Sequence, residues 1–215
     1  MKLYVYDHCP FCVRARMLVG LKQPDCEVIY LANDDEVTPV ELIGKKMLPI
    51  LVTDQGEAIG ESMDIVRYLD GITGDKRLLA ADDESVEAWI NEATAVIFPL
   101  AVPRWAYSSY AEFRDLSARQ YFIDKKQAFF GNFSALIKSS PALIEEVNGK
   151  LVVLESLLSR RNLSDTTWSE TDILLFPVLR ALTIVKGIVW PVGVDAWCKS
   201  RARQSDIPLN DDIAL

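Results

Sequence analysis

"YDHCPFCVRARMLVG", residues 6–20, gathers the chain's one histidine and two of its four cysteines around a proline. Just upstream, "KLYVY" alternates Leu3 and Val5 with Tyr4 and Tyr6, which predicts a short strand. Downstream, Val13, Met17, Leu18 and Leu21 recur at helical spacing behind Pro10, a residue suited to a first helical turn. The stretch therefore reads strand, CPFC, helix. Cys9 falls at the N-cap or just before the helix, where unpaired N–H groups and the positive end of the dipole favour an anion. A thiolate is stabilised there: a free thiol ionises near about 8.5, whereas helix-start CxxC thiols reach roughly 3.5 to 7. Cys12 lies three residues on, on the same helix face, close enough to form a disulfide with Cys9, so it is expected to be the resolving thiol. Phe11 offers an apolar shoulder beside the Cys9 sulfur.

The pair could instead be structural or metal-binding. As structural residues, both cysteines would be small buried hydrophobes. Zinc needs four ligands, but only His8, Cys26 and Cys198 remain and none has metal-site spacing. The redox reading is preferred, and no metal is expected. His8 either tunes or covers Cys9 or is an exposed loop histidine without a role. Cys26 and Cys198 read as buried structural residues.

The global bounds agree. Half of the 215 residues are apolar, enough for a sizeable core. A formal charge of -8 and a pI near 4.8 argue against nucleic acid and anionic membrane surfaces as partners. With no apolar N-terminal segment and no run long enough to span a membrane, a cytoplasmic location is expected. Four cysteines are too few for a disulfide scaffold.

Beyond the first helix, residues 26–31 form a second strand pattern, and residues 35–44 a short helix stopped by Gly44. "LPILV" and "EAIG" flank "TDQG" as a hairpin, and residues 62–71 a helix with Ser62 as N-cap and Gly71 as its stop. All five tryptophans lie later, where helical periodicity takes over. The expected fold is α/β plus all-α: a βαβ–ββα domain over 1–72, a linker over 73–83 and an all-helical domain over 84–215. Helices are expected over 84–107, 110–131, 140–159, 170–187 and 193–205, with Pro99 and Pro103 kinking or ending the first. An apolar interface involving the tryptophan-rich helices is expected between the domains. Pro177 departs from a smooth helix, and the basic "KSRAR" (199–203) reads as a solvated helix face.

Strand, CPFC and helix, followed by "MLPI" and then "GESMDIVRYL", resemble the thioredoxin fold of glutaredoxins and glutathione transferases. The "YDHCPFC" start on a transferase-like body is most similar to the bacterial glutaredoxin 2 family, with Phe11 where tyrosine is usual. The resemblance implies a cis Leu48–Pro49 bond facing the cysteines, with the Leu48 backbone open to strand-like bonding with a peptide ligand. It also implies that Glu61 and Ser62 bind the γ-glutamyl end of glutathione: the hydroxyl and helix-start N–H groups suit its carboxylate, and Glu61 its ammonium. Phe11 and Pro49 then pack beside the ligand. Ser169 and Asp172 resemble the helix-capping motif of the transferase helical domain, a folding role rather than a chemical one.

The function so implied is glutathione-dependent thiol–disulfide exchange, with Cys9 as nucleophile, Cys12 as resolver and glutathione as cosubstrate. Glutathionylated or disulfide-containing proteins are the expected substrates and a monomer the expected state. The alternatives are a conjugating or dehydroascorbate-reducing transferase, disfavoured by the second cysteine, and a non-catalytic docking module, disfavoured by the intact pair.

Overall fold

The computed structural model describes residues 1–72, 78–81, 83–161 and 167–215. Strand β1 (Lys2–Val5) buries Leu3 and Val5 completely, as its alternation requires. It pairs in parallel with β2 (Glu27–Tyr30) and antiparallel with β3 (Ile50–Val52), which pairs antiparallel with β4 (Ala58–Ile59). The sheet order is β2-β1-β3-β4, with the expected hairpin at its edge. Helix α1 (Pro10–Lys22) leaves the sheet directly from β1 and returns the chain to β2. It buries Cys12, Val13, Met17 and Leu18. At Gly20 it passes the carbonyl of Ser205 so closely that a Cβ would stand 1.8 Å from that oxygen, and only glycine fits. Helix α2 (Val37–Ile43) ends at Gly44 with φ 74°, as read from the sequence.

Helix α3 (Ser62–Ile72) differs from expectation at both ends. Ser62 is its first helical residue rather than the residue before it, and Gly71 lies inside the helix. Gly71 does not adopt positive φ, so nothing in its backbone terminates the helix there.

The helical part comprises α4 (Glu84–Ala106), α5 (Leu116–Phe130), α6 (Phe133–Lys138), α7 (Ser140–Leu158), α8 (Glu170–Leu182) and α9 (Val192–Gln204). Helix α4 runs unbroken through Pro99 and Pro103. A proline inside a helix costs about 3 kcal/mol, which burial of Val96, Ile97, Leu100 and Trp105 in a helix that packs on α7 and α8 outweighs. Pro177 is accommodated in the same way within the almost fully buried α8. The helix expected over 110–131 is instead a 3₁₀ turn (Ala111–Phe113) followed by α5, and α6 was not foreseen. Its six residues are too few to show a period.

Helix α1 packs between α3 and α8 and so joins the two parts. This junction is more ionic than expected. Arg180 on α8, 2 % exposed, donates to the backbone oxygen of Asp7 at 2.7 Å and to its carboxylate at 2.8 Å. Arg16 donates to the same carboxylate at 2.6 Å. Burial opposes ionisation of Asp7, but the two guanidiniums prevail and hold its carboxyl below the usual range. Arg67 and Glu170 add a bidentate pair at 2.9 Å. The "KSRAR" face is only partly solvated, because Arg201 is buried against the rings of Trp168 and Trp197. No helix among the described residues is long and apolar enough to cross a membrane.

Candidate active site

Cys9 is the N-cap of α1, in extended conformation. Its sulfur accepts the Cys12 backbone N–H at 3.5 Å, and the Cys12 sulfur accepts the Tyr6 backbone N–H at 3.4 Å. Both thiols are free, Cys9 half-buried and Cys12 fully buried. A hydrogen bond from the Cys12 thiol, the charge of His8 and the backbone N–H groups of Cys12 and Phe11 together outweigh burial and lower the Cys9 thiol to about 6. Burial and the neighbouring Cys9 sulfur push the Cys12 thiol well above its ordinary value. At neutral pH the pair therefore holds one thiolate and one thiol.

His8 is buried, and the exposed-loop reading fails. Its Nδ1 lies 2.7 Å from Glu112 Oε1, and its backbone N–H donates to that same oxygen at 3.0 Å. The ring sits 5.1 Å, centroid to centroid, from each of Trp105, Phe113 and Phe122.

A cavity of about 310 Å³ opens over this junction. Tyr6, His8, Cys9, Met47 and Leu48 line one wall, and Tyr121, Phe122, Lys125 and Lys126 of α5 line the other. Tyr121 lies between Lys46 and Lys125, whose Nζ atoms stand 4.1 and 4.6 Å from its ring centroid. Its hydroxyl donates to Glu36, the residue before α2, and Lys125 approaches the same carboxylate at 3.4 Å. A larger cavity, about 410 Å³, opens between α7 and α9 and is lined by no cysteine or histidine.

The Leu48–Pro49 bond is cis, and Leu48 lines the cavity. Pro49 is buried beside it. Phe11 is 50 % exposed, with the Arg14 guanidinium 4.7 Å from its ring centroid. Arg14 also donates to the hydroxyl of buried Ser62 at 3.5 Å, while exposed Glu61 pairs with Lys45 at 3.4 Å. Phe11, Pro49, Glu61 and Ser62 lie outside the cavity lining. Cys198 is buried as expected, which raises its thiol, but Cys26 is half-exposed just before β2. Sequence reasoning missed Glu112, Arg14 and the lysines. The doublets Lys45–Lys46 and Lys125–Lys126 were the available signal. No group of three or more His, Cys, Asp or Glu among the described residues could hold a metal ion.

Residues 85–214 match the family model for the C-terminal domain of glutaredoxin 2, and residues 3–77 match that for the glutathione S-transferase N-terminal domain. The chain belongs to the glutaredoxin 2 family. Glutaredoxin 2 of Escherichia coli (strain K12) is 41% identical over 215 residues, spanning all of both chains. The crystal structure of glutaredoxin 2 from Salmonella typhimurium in complex with glutathione is similar with a TM-score of 0.94 and 43% identity, covering 100% of this chain and 98% of that one. A glutathione S-transferase from Rhodospirillum rubrum, at 18% identity and a TM-score of 0.60 over 99% of this chain and 90% of that one, shares the fold alone. The glutaredoxin 2 fold is thus a thioredoxin-like sheet domain with a transferase-like helical body, as the sequence suggested.

Proposed function

We propose that this member of the glutaredoxin 2 family is a glutathione-dependent thiol–disulfide oxidoreductase with Cys9 as nucleophile and Cys12 as resolving thiol. The observation that carries the reading is the single low-lying thiol, Cys9, in the lining of a cavity, with a buried high-lying thiol three residues away. The Cys9 thiolate attacks the glutathione sulfur of a mixed disulfide. A bond forms between Sγ and that sulfur, the original S–S bond breaks, and the leaving protein thiolate takes the electron pair and then a solvent proton. A second glutathione thiolate attacks the glutathione sulfur bound to Cys9, forming oxidised glutathione and freeing Cys9. In the dithiol route the Cys12 thiolate attacks Sγ of Cys9 instead: the Cys9–glutathione S–S bond breaks, glutathione leaves as the thiolate and takes a solvent proton, and Cys9 and Cys12 close a disulfide.

Glutathione is held by the Leu48 backbone on the cavity wall, with Glu61 and Ser62 taking its γ-glutamyl end and Phe11 and Pro49 packing beside it. Arg14, between Phe11 and Ser62, adds a cation next to that carboxylate site. The substrates are glutathionylated or disulfide-containing proteins, and the protein works as a cytoplasmic monomer. A constant dimer mass in light scattering across dilution overturns the last point. The boundary between the domains falls at 73–83, between the end of α3 and the start of α4.

The test is peptide mapping by mass spectrometry after exposure to oxidised glutathione. A glutathione adduct on Cys9 in Cys12→Ser, replaced by a Cys9–Cys12 disulfide in the wild type, is expected. Absence of the adduct from Cys9 while surface thiols react overturns the assignment.

A further inference from the structure

His8 stands in an unusual position for an ionisable ring. It is 6 % exposed and touches three aromatic rings, yet it also lines the cavity beside Cys9. A charge buried among rings is costly unless a counter-charge is fixed beside it, although aromatic faces do attract a cation. Glu112 is that counter-charge. It is 1 % exposed, its Oε1 takes both the Nδ1 and the backbone N–H of His8, and its Oε2 has no hydrogen bond among the described residues. His8 is also its sole ion-pairing partner among them. The carboxylate and the ring therefore answer each other's burial.

The other charged groups nearby are committed elsewhere. Arg16 and Arg180 hold Asp7, Arg14 lies over Phe11 and donates to Ser62, and Arg119 donates to the backbone oxygens of Ala106, Ser108 and Phe113, while Lys46 and Lys125 flank the Tyr121 ring and Lys126 lies over the Phe122 ring. Tyr6 and Tyr110 also face the ring, but burial pushes both phenols up and keeps them neutral.

We propose that Glu112, supplied by the helical domain, is a positioning residue for the reaction of Cys9: it fixes the His8 ring on the cavity that Cys9 also lines, and His8 in turn favours the Cys9 thiolate. This rests on Cys9 being the nucleophile. It gives the helical domain a part in the chemistry beyond packing. Ordinary packing of a helical domain would need no buried carboxylate at this point. The sign is informative: Glu112 is itself an anion and would oppose a neighbouring thiolate if it acted alone, so a net favourable effect on Cys9 has to pass through His8.

The experiment follows the rate of Cys9 alkylation by iodoacetamide against pH in the full chain, read by peptide mass, for wild type, Glu112→Gln, His8→Gln and the double variant. Glu112→Gln keeps an acceptor and removes the charge. It is expected to move the Cys9 midpoint up by about one unit, lowering the thiolate fraction at pH 6 about fivefold. His8→Gln is expected to do the same, and adding Glu112→Gln to it is expected to raise the midpoint no further and, by removing a carboxylate that no longer acts through the ring, to lower it slightly. Circular dichroism identifies any variant that fails to fold, and His8→Gln then tests the step to Cys9 on its own. A midpoint that falls in Glu112→Gln, or stays in place in both single variants, overturns the inference. If wild-type Cys9 itself titrates like an ordinary thiol, the proposed function fails and this inference with it, whereas a lowered wild-type midpoint that neither single variant moves overturns the inference alone.

Discussion

Two helix starts in this molecule share one local geometry and serve opposite ends. At α1 the extended Cys9 accepts the backbone N–H of residue 12 at 3.5 Å, and at α8 the extended Ser169 accepts that of residue 172 at 3.4 Å. At α8 the negative charge sits three residues in, on Asp172. That carboxylate bonds back to the Ser169 N–H at 2.9 Å, and Arg161 closes over both residues at 2.7 and 3.0 Å. Ser169 and Asp172 are wholly buried. At α1 the charge sits on the cap itself, the residue three positions in is a neutral thiol, and a cavity opens above. The same unpaired N–H groups give rigidity where guanidiniums enclose the anion and reactivity where they leave it reachable.

The contrast breaks most sharply at Cys9. Cys9→Ser keeps a good helix cap and is expected to lower reduction of a glutathione mixed disulfide by at least about 10³-fold, roughly 4 kcal/mol of barrier, with folding intact. A glutathione-reductase-coupled assay checks this. Asp172→Asn removes the enclosed charge and takes from Arg161 the carboxylate it pairs with. A loss of about 3–5 kcal/mol is expected in urea unfolding, with the Cys9 midpoint of the folded protein still near 6.

Cys12→Ala tests what lowers the Cys9 thiol. Without the hydrogen bond from Cys12, the alkylation midpoint is expected to rise from about 6 by about one to two units. The sign is fixed: the thiolate dominates above the midpoint, so alkylation in the wild type falls as pH drops through about 6, and in the variant it falls at a higher pH. The folded thiol lies below the unfolded one, so the stability it contributes is present above the unfolded value and lost as pH falls through about 6. The smallest effect belongs to Ser169→Ala, expected to cost about 1–2 kcal/mol in unfolding and to leave turnover unchanged.

The sheet, α1 and the Ser169–Asp172 cap were legible because each depends on neighbours within a few positions: an alternation, a CxxC spacing, a serine three before an aspartate. The rest depends on distant partners. Gly71 reads as a stop, yet packing of Ile65, Val66 and Leu69 carries the helix past it. Arg201 reads as solvated until Trp168 and Trp197 close on it. His8 could not be resolved from its surroundings in sequence because the residues that bury it, Trp105, Glu112, Phe113 and Phe122, come about a hundred positions later. The cavity's second wall was missed for the same reason, since nothing near Cys9 announces Tyr121 or Lys125.

That separation along the chain also has a meaning in time. The cysteine motif is among the first segments a ribosome releases, but the bond from His8 to Glu112 spans 104 residues and the brace from Arg180 to Asp7 spans 173. At about 5–20 residues per second, the second brace is synthesised roughly ten to thirty seconds after the thiols. Until the helical part is made, His8 has no Glu112 to pair with and Cys9 lacks the α5 side of its cavity, so the site is completed only by the last-made part of the chain.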